Sequence, residues 1–282
     1  MRVDAHQHFW DPARGDYVWM DALTGAAART LARPILPPEL EPILARHNIQ
    51  RSVLVQAAPS EAEGDFLLSL AEQHDFIAGA VIWLDMQSQG FGQKLEQARK
   101  HPNFLGIRPM IQDIPDPDWM SGRSVKAAFA LLEQSETCFD FLIRWHQLPA
   151  TLGVLAEFPK LRAVIDHIAK PDIKARQLSP WCDWMRQAAS HHGVYCKLSG
   201  MITEADASSW TPADLAPFIE HALACFGPER SMFGSDWPVC TLAGSYERVL
   251  AALELNLDAA TLDRLAQARI FGGTAREFYR LP

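Results

Sequence analysis

Short runs of Val, Ile, Leu and Phe alternate along the chain with longer stretches whose apolar residues recur at spacings of three and four. The short runs read as strands, each closing on a polar or small residue: Arg2–His6, Ser52–Gln56, Ile77–Leu84, Phe104–Arg108, Phe139–Trp145, Arg162–Asp166, Val194–Leu198 and Ser231–Gly234. The helical spacing predicts helices over Pro38–His47, Glu61–Gln73, Gly92–Lys100, Ser124–Ser135, Leu148–Phe158, Ser179–His191, Pro212–Cys225 and Gly244–Leu255. Asp258–Gln267 and Arg269–Tyr279 follow the last strand. Local signals agree: Thr211-Pro212 with Asp214 reads as a helix start, and Phe226-Gly227-Pro228 as a stop.

Strands that alternate with helices predict a parallel sheet covered on both faces. Eight of them favour a closed (β/α)8, TIM-like barrel, with an open α/β sheet of six or seven strands as the alternative. No Gly-rich phosphate loop follows an early strand, which counts against dinucleotide-binding and P-loop versions of the open sheet. No repeat, low-complexity tract or linker divides the chain, so residues 1–282 read as one barrel domain. Two stretches are too long for simple βα connections, Phe9–Pro37 and Pro109–Arg123, and both are expected over the barrel mouth.

Composition narrows the function classes. The net charge is -8, and no Lys/Arg cluster offsets it, which disfavours nucleic acid as a partner. No apolar run approaches the roughly 18 residues of a membrane span, and the first residues lack the basic and apolar regions of a secretory signal. The 5 cysteines are scattered, odd in number and without CxxC spacing, so a reduced, cytoplasmic protein is expected.

In such a barrel the site lies at the C-terminal ends of the strands. Strand periodicity puts Asp4, His6 and His8 on one face at the end of strand one. His146 follows strand five, His167 strand six and Asp236 strand eight, so these groups can converge on one point. The set could hold Zn²⁺ through nitrogen and oxygen, or position a water without a metal. Asp236 is the natural proton acceptor for that water. Arg108, Lys170 and Lys197 are candidates for carboxylate or carbonyl oxygens. Plainer roles compete: His146 on the surface, His167 paired with Asp166, Asp236 capping a turn, Lys197 flat against the barrel wall, Arg108 tied to Asp113. His47, His74, His101, His191, His192 and His221 are expected at solvated helix ends.

The segments VDAHQHFW, RSVLVQAAP, FLGIRPMIQDI, AVIDHIAKP, YCKLSG and MFGSDWPV, in this order, resemble the amidohydrolase-related family and, within it, the sugar-lactonase branch. The resemblance covers essentially the whole chain. It implies an amidohydrolase-type barrel in which His6, His8, His146, His167 and Asp236 are the site residues; should an ion be bound, His6, His8 and Asp236 are the candidate ligands. The wider superfamily often carries a modified lysine or a glutamate after strand four, bridging two metals. Arg108 stands there in this chain, which argues against a binuclear centre. Related lactonases work with one divalent ion or with none, so the expected cofactor is one ion, zinc first, or nothing. The implied reaction is hydrolysis of a sugar-acid lactone, such as an L-fucono- or related aldono-lactone, to the open acid. Asp236 would activate the water, with the histidines and Arg108 around the carbonyl. Gln56, Gln112, Trp145, Trp237, Lys170 and Lys197 would line the mouth around a hydroxyl-rich small molecule. Alternatives on the same fold are nonoxidative decarboxylation of an aromatic or pyrimidine acid, a dicarboxylate lactonase of aromatic degradation, and a degenerate, non-catalytic barrel.

Overall fold

Each predicted run forms a strand in the computed structural model, which describes residues 1–282. The strands are β1 (Val3–Gln7), β2 (Arg51–Val55), β3 (Ile77–Ile82) and β4 (Phe104–Ile107). β5 (Cys138–Phe141), β6 (Ala163–Ile165), β7 (Val194–Leu198) and β8 (Ser231–Phe233) follow. They form one 8-stranded sheet in sequence order, every neighbouring pair parallel. The two edges meet at the C-terminal rim through a parallel bridge between Gln7 and Trp237. There His8 N donates to Trp237 O at 2.8 Å, and Asp236 N donates to His6 O at 2.9 Å. The sheet is thus a barrel rather than an open sheet, and its closure is made by site residues.

The ring of helices comprises Pro37–Arg46, Glu61–Gln73, Phe91–Ala98, Arg123–Gln134, Leu148–Glu157, Trp181–Ala189, Pro212–Phe226 and Tyr246–Ala259. The predicted start at Thr211 is a capping box, with Asp214 accepting from Thr211 N at 2.9 Å. The stretch predicted as one helix over Arg269–Tyr279 instead divides into a π-turn at Arg269–Gly273 and a helix at Thr274–Tyr279. β5 is shorter than expected. Gln147 Oε1 accepts from Arg144 N at 2.9 Å and closes a 3₁₀ turn over Trp145–Gln147, so the apolar run to Trp145 is not all strand.

The main apolar layer lies between sheet and helices. A second cluster fills the barrel floor, where Val3, Val53, Val55, Val81, Val164 and Met232 meet Ala275, Phe278, Tyr279 and Leu281. The helix Thr274–Tyr279 therefore plugs the end opposite the mouth. Over the mouth, the Phe9–Pro37 stretch carries two 3₁₀ turns and a helix at Gly25–Leu31, and is pinned by an antiparallel bridge between Trp10 and Ile35. The Pro109–Arg123 stretch carries 3₁₀ turns at Ile111–Asp113 and Trp119–Ser121. No helix is long and apolar enough to cross a membrane.

Candidate active site

Strand one departs from strict alternation. Ala5 packs into the barrel floor, yet the next residue, His6, also reaches inside, to Lys197 and Asp166. The register between β1 and β2 shifts between Asp4 and Gln7, and this irregularity re-aims the chain. Asp4 is consequently not on the face of His6. Its Oδ1 accepts from His6 N at 3.1 Å and Ser235 N at 2.9 Å, and its Oδ2 from the hydroxyl of Tyr246, on an outer helix, at 3.1 Å. Asp4 is a brace behind the site, tying β1 to the turn after β8.

His6 Nε2 and His8 Nε2 are 3.2 Å apart, and His8 Nε2 is 3.3 Å from Asp236 Oδ1. His6 Nε2 and His167 Nε2 each lie 3.8 Å from the same oxygen. Donor atoms of His6, His167 and Asp236 all fall within 4.8 Å of one another. His8 Nδ1 is 2.7 Å from Val55 O, which only accepts, so Nδ1 carries a proton and Nε2 is the nitrogen that faces the cluster. His167 is held from behind by the Ser199 hydroxyl, 2.9 Å from Nδ1. Two imidazoles and a carboxylate, with ring nitrogens anchored behind, are the donor types that bind zinc, so the cluster fits a divalent ion. The geometric group centres on His6, His167 and Asp236, with His8 against His6 and Asp236, rather than on His6, His8 and Asp236 alone.

Backbone shape makes this convergence. His167 to Lys170 run through the left-handed region, with φ of 54°, 47°, 61° and 48°, and Asp236 has φ 57°. Two glycines let the chain approach. A Cβ on Gly200 would lie 2.5 Å from His167 Nδ1, and one on Gly234 would lie 2.6 Å from His6 Cβ.

Below the imidazoles lies a buried layer of charge. Lys197 Nζ donates to Asp140 Oδ2 (2.5 Å), forms an ion pair with Asp166 Oδ1 at 3.0 Å, and is 3.1 Å from His6 Nδ1. The Tyr279 hydroxyl donates to Asp140 Oδ2 at 2.7 Å. Arg108 Nη1 donates to Asp166 Oδ2 at 3.1 Å and lies 3.3 Å from His6 Nε2. Arg108 Nη2 donates to Gln56 O, and Gln56 Nε2 donates back to Arg108 O at 2.6 Å. Arg108 is thus paired with Asp166, and not with Asp113, which accepts from Gln112. Lys197 and Gln56 are fully buried with their donors engaged, so they lie under the ligand space rather than in it. Strand parity pointed them inward correctly, but they sit too far down the barrel axis.

These surroundings set the charge states. Burial, reinforced by Lys197, holds His6 well below the usual imidazole range, and burial does the same to His167. Both are neutral near pH 7. Burial works against ionisation of Asp236, but His167, His8 and Lys170 outweigh it and hold the carboxyl below its ordinary range. Asp166 is likewise lowered by Lys197 and Arg108 against its burial, whereas burial pushes Asp140 up to about 6. Burial depresses Lys170, opposed by the nearby Asp236 and Glu204.

His146 does not join the cluster. It is exposed on the 3₁₀ turn after β5, its ring edge-on to Trp145. Trp145 stacks on Trp184 at 6.0 Å, and Trp237 is buried edge-on to Phe9 at 5.9 Å, giving its carbonyl to His8. Trp237 therefore serves packing and closure rather than the mouth. Gln112 remains half-buried near the rim.

A cavity of about 350 Å³ lies between the two long loops, lined by Trp19, Trp83, Met86, Pro109, Met110 and Trp119, so that it starts one residue past Arg108 in the chain and does not include the histidine cluster. That volume suits a small molecule. Trp19 is fixed by its Nε1 donating to Ala57 O at 2.8 Å. The same turn is clamped by buried Glu63, which accepts from Ala57 N and Ala58 N at 2.9 Å each. Sequence reasoning missed Ser199, Asp140, Tyr279 and these aromatics. An aspartate inside the apolar strand Cys-Phe-Asp-Phe was the available signal for a buried charge partner.

The family profile for amidohydrolases matches residues 3–281. An L-fucono-1,5-lactonase of Burkholderia ambifaria is 38% identical over 283 residues, covering 99% of this chain and 96% of that protein. An L-fucono-1,5-lactonase of Burkholderia multivorans is 34% identical over 301 residues, covering 100% and 97%. The crystal structure of an amidohydrolase from Burkholderia multivorans with bound zinc superposes with a TM-score of 0.93 at 34% identity, covering 100% of both chains. Closed barrel, rim histidines, strand-eight aspartate and full-length match agree, and the chain belongs to the amidohydrolase family.

Proposed function

We propose that this protein hydrolyses a sugar-acid lactone of the L-fucono-1,5-lactone type to the open acid, with Asp236 as the base. One observation carries the reading. Asp236, kept ionised just past the C-terminal end of β8, has one oxygen ringed by three imidazole nitrogens at 3.3 to 3.8 Å. The full-length likeness to two L-fucono-1,5-lactonases supports the substrate class.

A water beside Asp236 gives it a proton as its oxygen bonds to the lactone carbonyl carbon. The carbonyl π electrons move to oxygen, and the Lys170 ammonium, the cation not consumed by the buried layer, stabilises that oxyanion. Collapse breaks the bond to the ring oxygen, and Asp236 returns its proton to the departing alkoxide. His8 and His167, with their outer nitrogens held by Val55 O and Ser199, fix the water and the carboxylate in place. A divalent ion held by His6, His167 and Asp236 would supply Lewis-acid polarisation of the carbonyl. A dicarboxylate substrate is less well served, because Arg108 and Lys197 are committed to Asp166 and Asp140.

Proton release with a pH indicator, across a panel of aldonolactones and aromatic acids, tests this. L-fucono-1,5-lactone or a close stereoisomer is expected to be turned over best. Release of CO₂ from an aromatic acid, with no lactone hydrolysed, would replace this reading with the decarboxylase.

A further inference from the structure

A neutral imidazole has one lone pair and one N–H. His6 presents each nitrogen to a cation that can only donate. Lys197 Nζ is 3.1 Å from Nδ1, and Arg108 Nη1 is 3.3 Å from Nε2. With the proton on Nε2, the Nδ1 lone pair accepts from Lys197. With the proton on Nδ1, directed at Asp166 Oδ1 3.4 Å away, the Nε2 lone pair accepts from Arg108. In neither form is the lone pair free. Nε2 is the nitrogen turned toward Asp236, 3.8 Å away, and so the one that an ion in the cluster would use.

Arg108 is not a loose neighbour that could drift from this place. Asp166 holds Nη1, the Gln56 carbonyl holds Nη2, and the Gln56 amide holds the Arg108 carbonyl. The residue is 2% exposed, so its charge acts on the cluster with little solvent screening.

We propose that Arg108 is a built-in competitor for the divalent ion. With the proton on Nδ1 its guanidinium occupies the ligating lone pair of His6, and with either tautomer it sets a positive charge beside the donor cluster. The ion enters only by displacing it, and is held weakly and exchangeably. The inference concerns the donor cluster alone and does not depend on which lactone is hydrolysed.

Zinc affinity, read by competition with a chromophoric chelator, tests it without recourse to activity. Arg108→Gln removes the charge but keeps an amide that can donate to Gln56 O. It is expected to tighten zinc binding by at least about tenfold and to retain zinc through gel filtration that strips the parent. Adding His6→Ala to that variant is expected to abolish the gain. Lys170→Gln removes an equal charge without freeing Nε2 and is expected to gain less. Equal or weaker binding by folded Arg108→Gln, an equal gain in Lys170→Gln, or a gain that survives His6→Ala would each overturn the proposal. Should Arg108→Gln not fold, a crystal structure of the zinc-loaded parent decides. Arg108 displaced from His6 supports the proposal, and Arg108 still in contact with metal-bound Nε2 refutes it.

Discussion

Replacing Gly200 by Ala should damage catalysis through the imidazole of His167, against which the added methyl would press. Gly200 has φ 62°, where an L-residue pays roughly 1–2 kcal/mol. The added Cβ would stand 2.5 Å from His167 Nδ1 and 2.7 Å from Cγ. Such atoms rest comfortably at about 3.5 Å, so the imidazole must retreat by about 1 Å. Retreat stretches the 2.9 Å contact with Ser199 Oγ, a loss of about 1 kcal/mol, and carries Nε2 off its position 3.8 Å from Asp236. Unfolding free energy should fall by about 2–3 kcal/mol in total. Misplacement of a reacting group by 1 Å costs on the order of 10²-fold, so kcat should fall about a hundredfold with KM little changed. The assay is proton release from the lactone the parent turns over best, alongside urea unfolding. Gly153→Ala is the matched control: it lies in the helix Leu148–Glu157 with open space at Cβ, and should gain about 0.5–1 kcal/mol without touching turnover. If Gly200→Ala keeps kcat within about threefold of the parent, the argument that His167 must stand where it does is wrong.

Asp236→Asn should lower kcat by about 10²–10⁴-fold with the fold intact by circular dichroism; near-parental turnover would remove Asp236 as the base. Lys197→Met strands Asp140 and Asp166 in the barrel and should cost about 3–5 kcal/mol in denaturant unfolding, whereas a loss under about 1 kcal/mol would show the buried layer to be dispensable. Burial pushes the Glu63 carboxyl from 4.5 up to about 8. The folded state therefore holds a proton that the unfolded chain has released, and this group's contribution to stability is present below about pH 4.5 and declines as pH rises toward 8. Glu63→Gln should flatten that decline between pH 5.5 and 8.5 by about 1 kcal/mol or more; an identical slope in parent and variant would count against it.

The barrel was legible because period-two and period-3.6 patterns alternate cleanly, and each apolar run found became a strand. What misled was local. Leu142 and Ile143 prolong the apolar run of β5, but Gln147 ends the extended chain by bonding backward to Arg144, an event that hydropathy does not encode. Asp4 was assigned the face of His6 because alternation was assumed unbroken, and a register irregularity breaks it. Lys197 and Arg108 were expected around the substrate because strand parity tells inward from outward but not depth. Lys197 lies within β7, so it points into the barrel interior, while Ser199, just past the strand, reaches the rim. His8, His167, Lys170 and Asp236 share that position beyond their strands, and are the groups gathered at the mouth. His146 lies five residues beyond its strand, as far as Lys170 lies beyond β6, but it sits on a 3₁₀ turn that leaves it exposed.

The plug at the barrel floor has a temporal side. Tyr279 bonds Asp140, Asp140 binds Lys197, and Lys197 contacts His6, so residues at opposite ends of this sequence complete one electrostatic stack. During vectorial synthesis the segment Ala275–Leu281 leaves the ribosome after all eight strands have been made. Until it arrives, the floor cluster of Val3, Val53 and Met232 has no cover, and Asp140 lacks its hydroxyl donor. A nascent chain can thus present every rim histidine and Asp236 and still lack the support that holds His6, which delays the finished site until translation has passed Leu281.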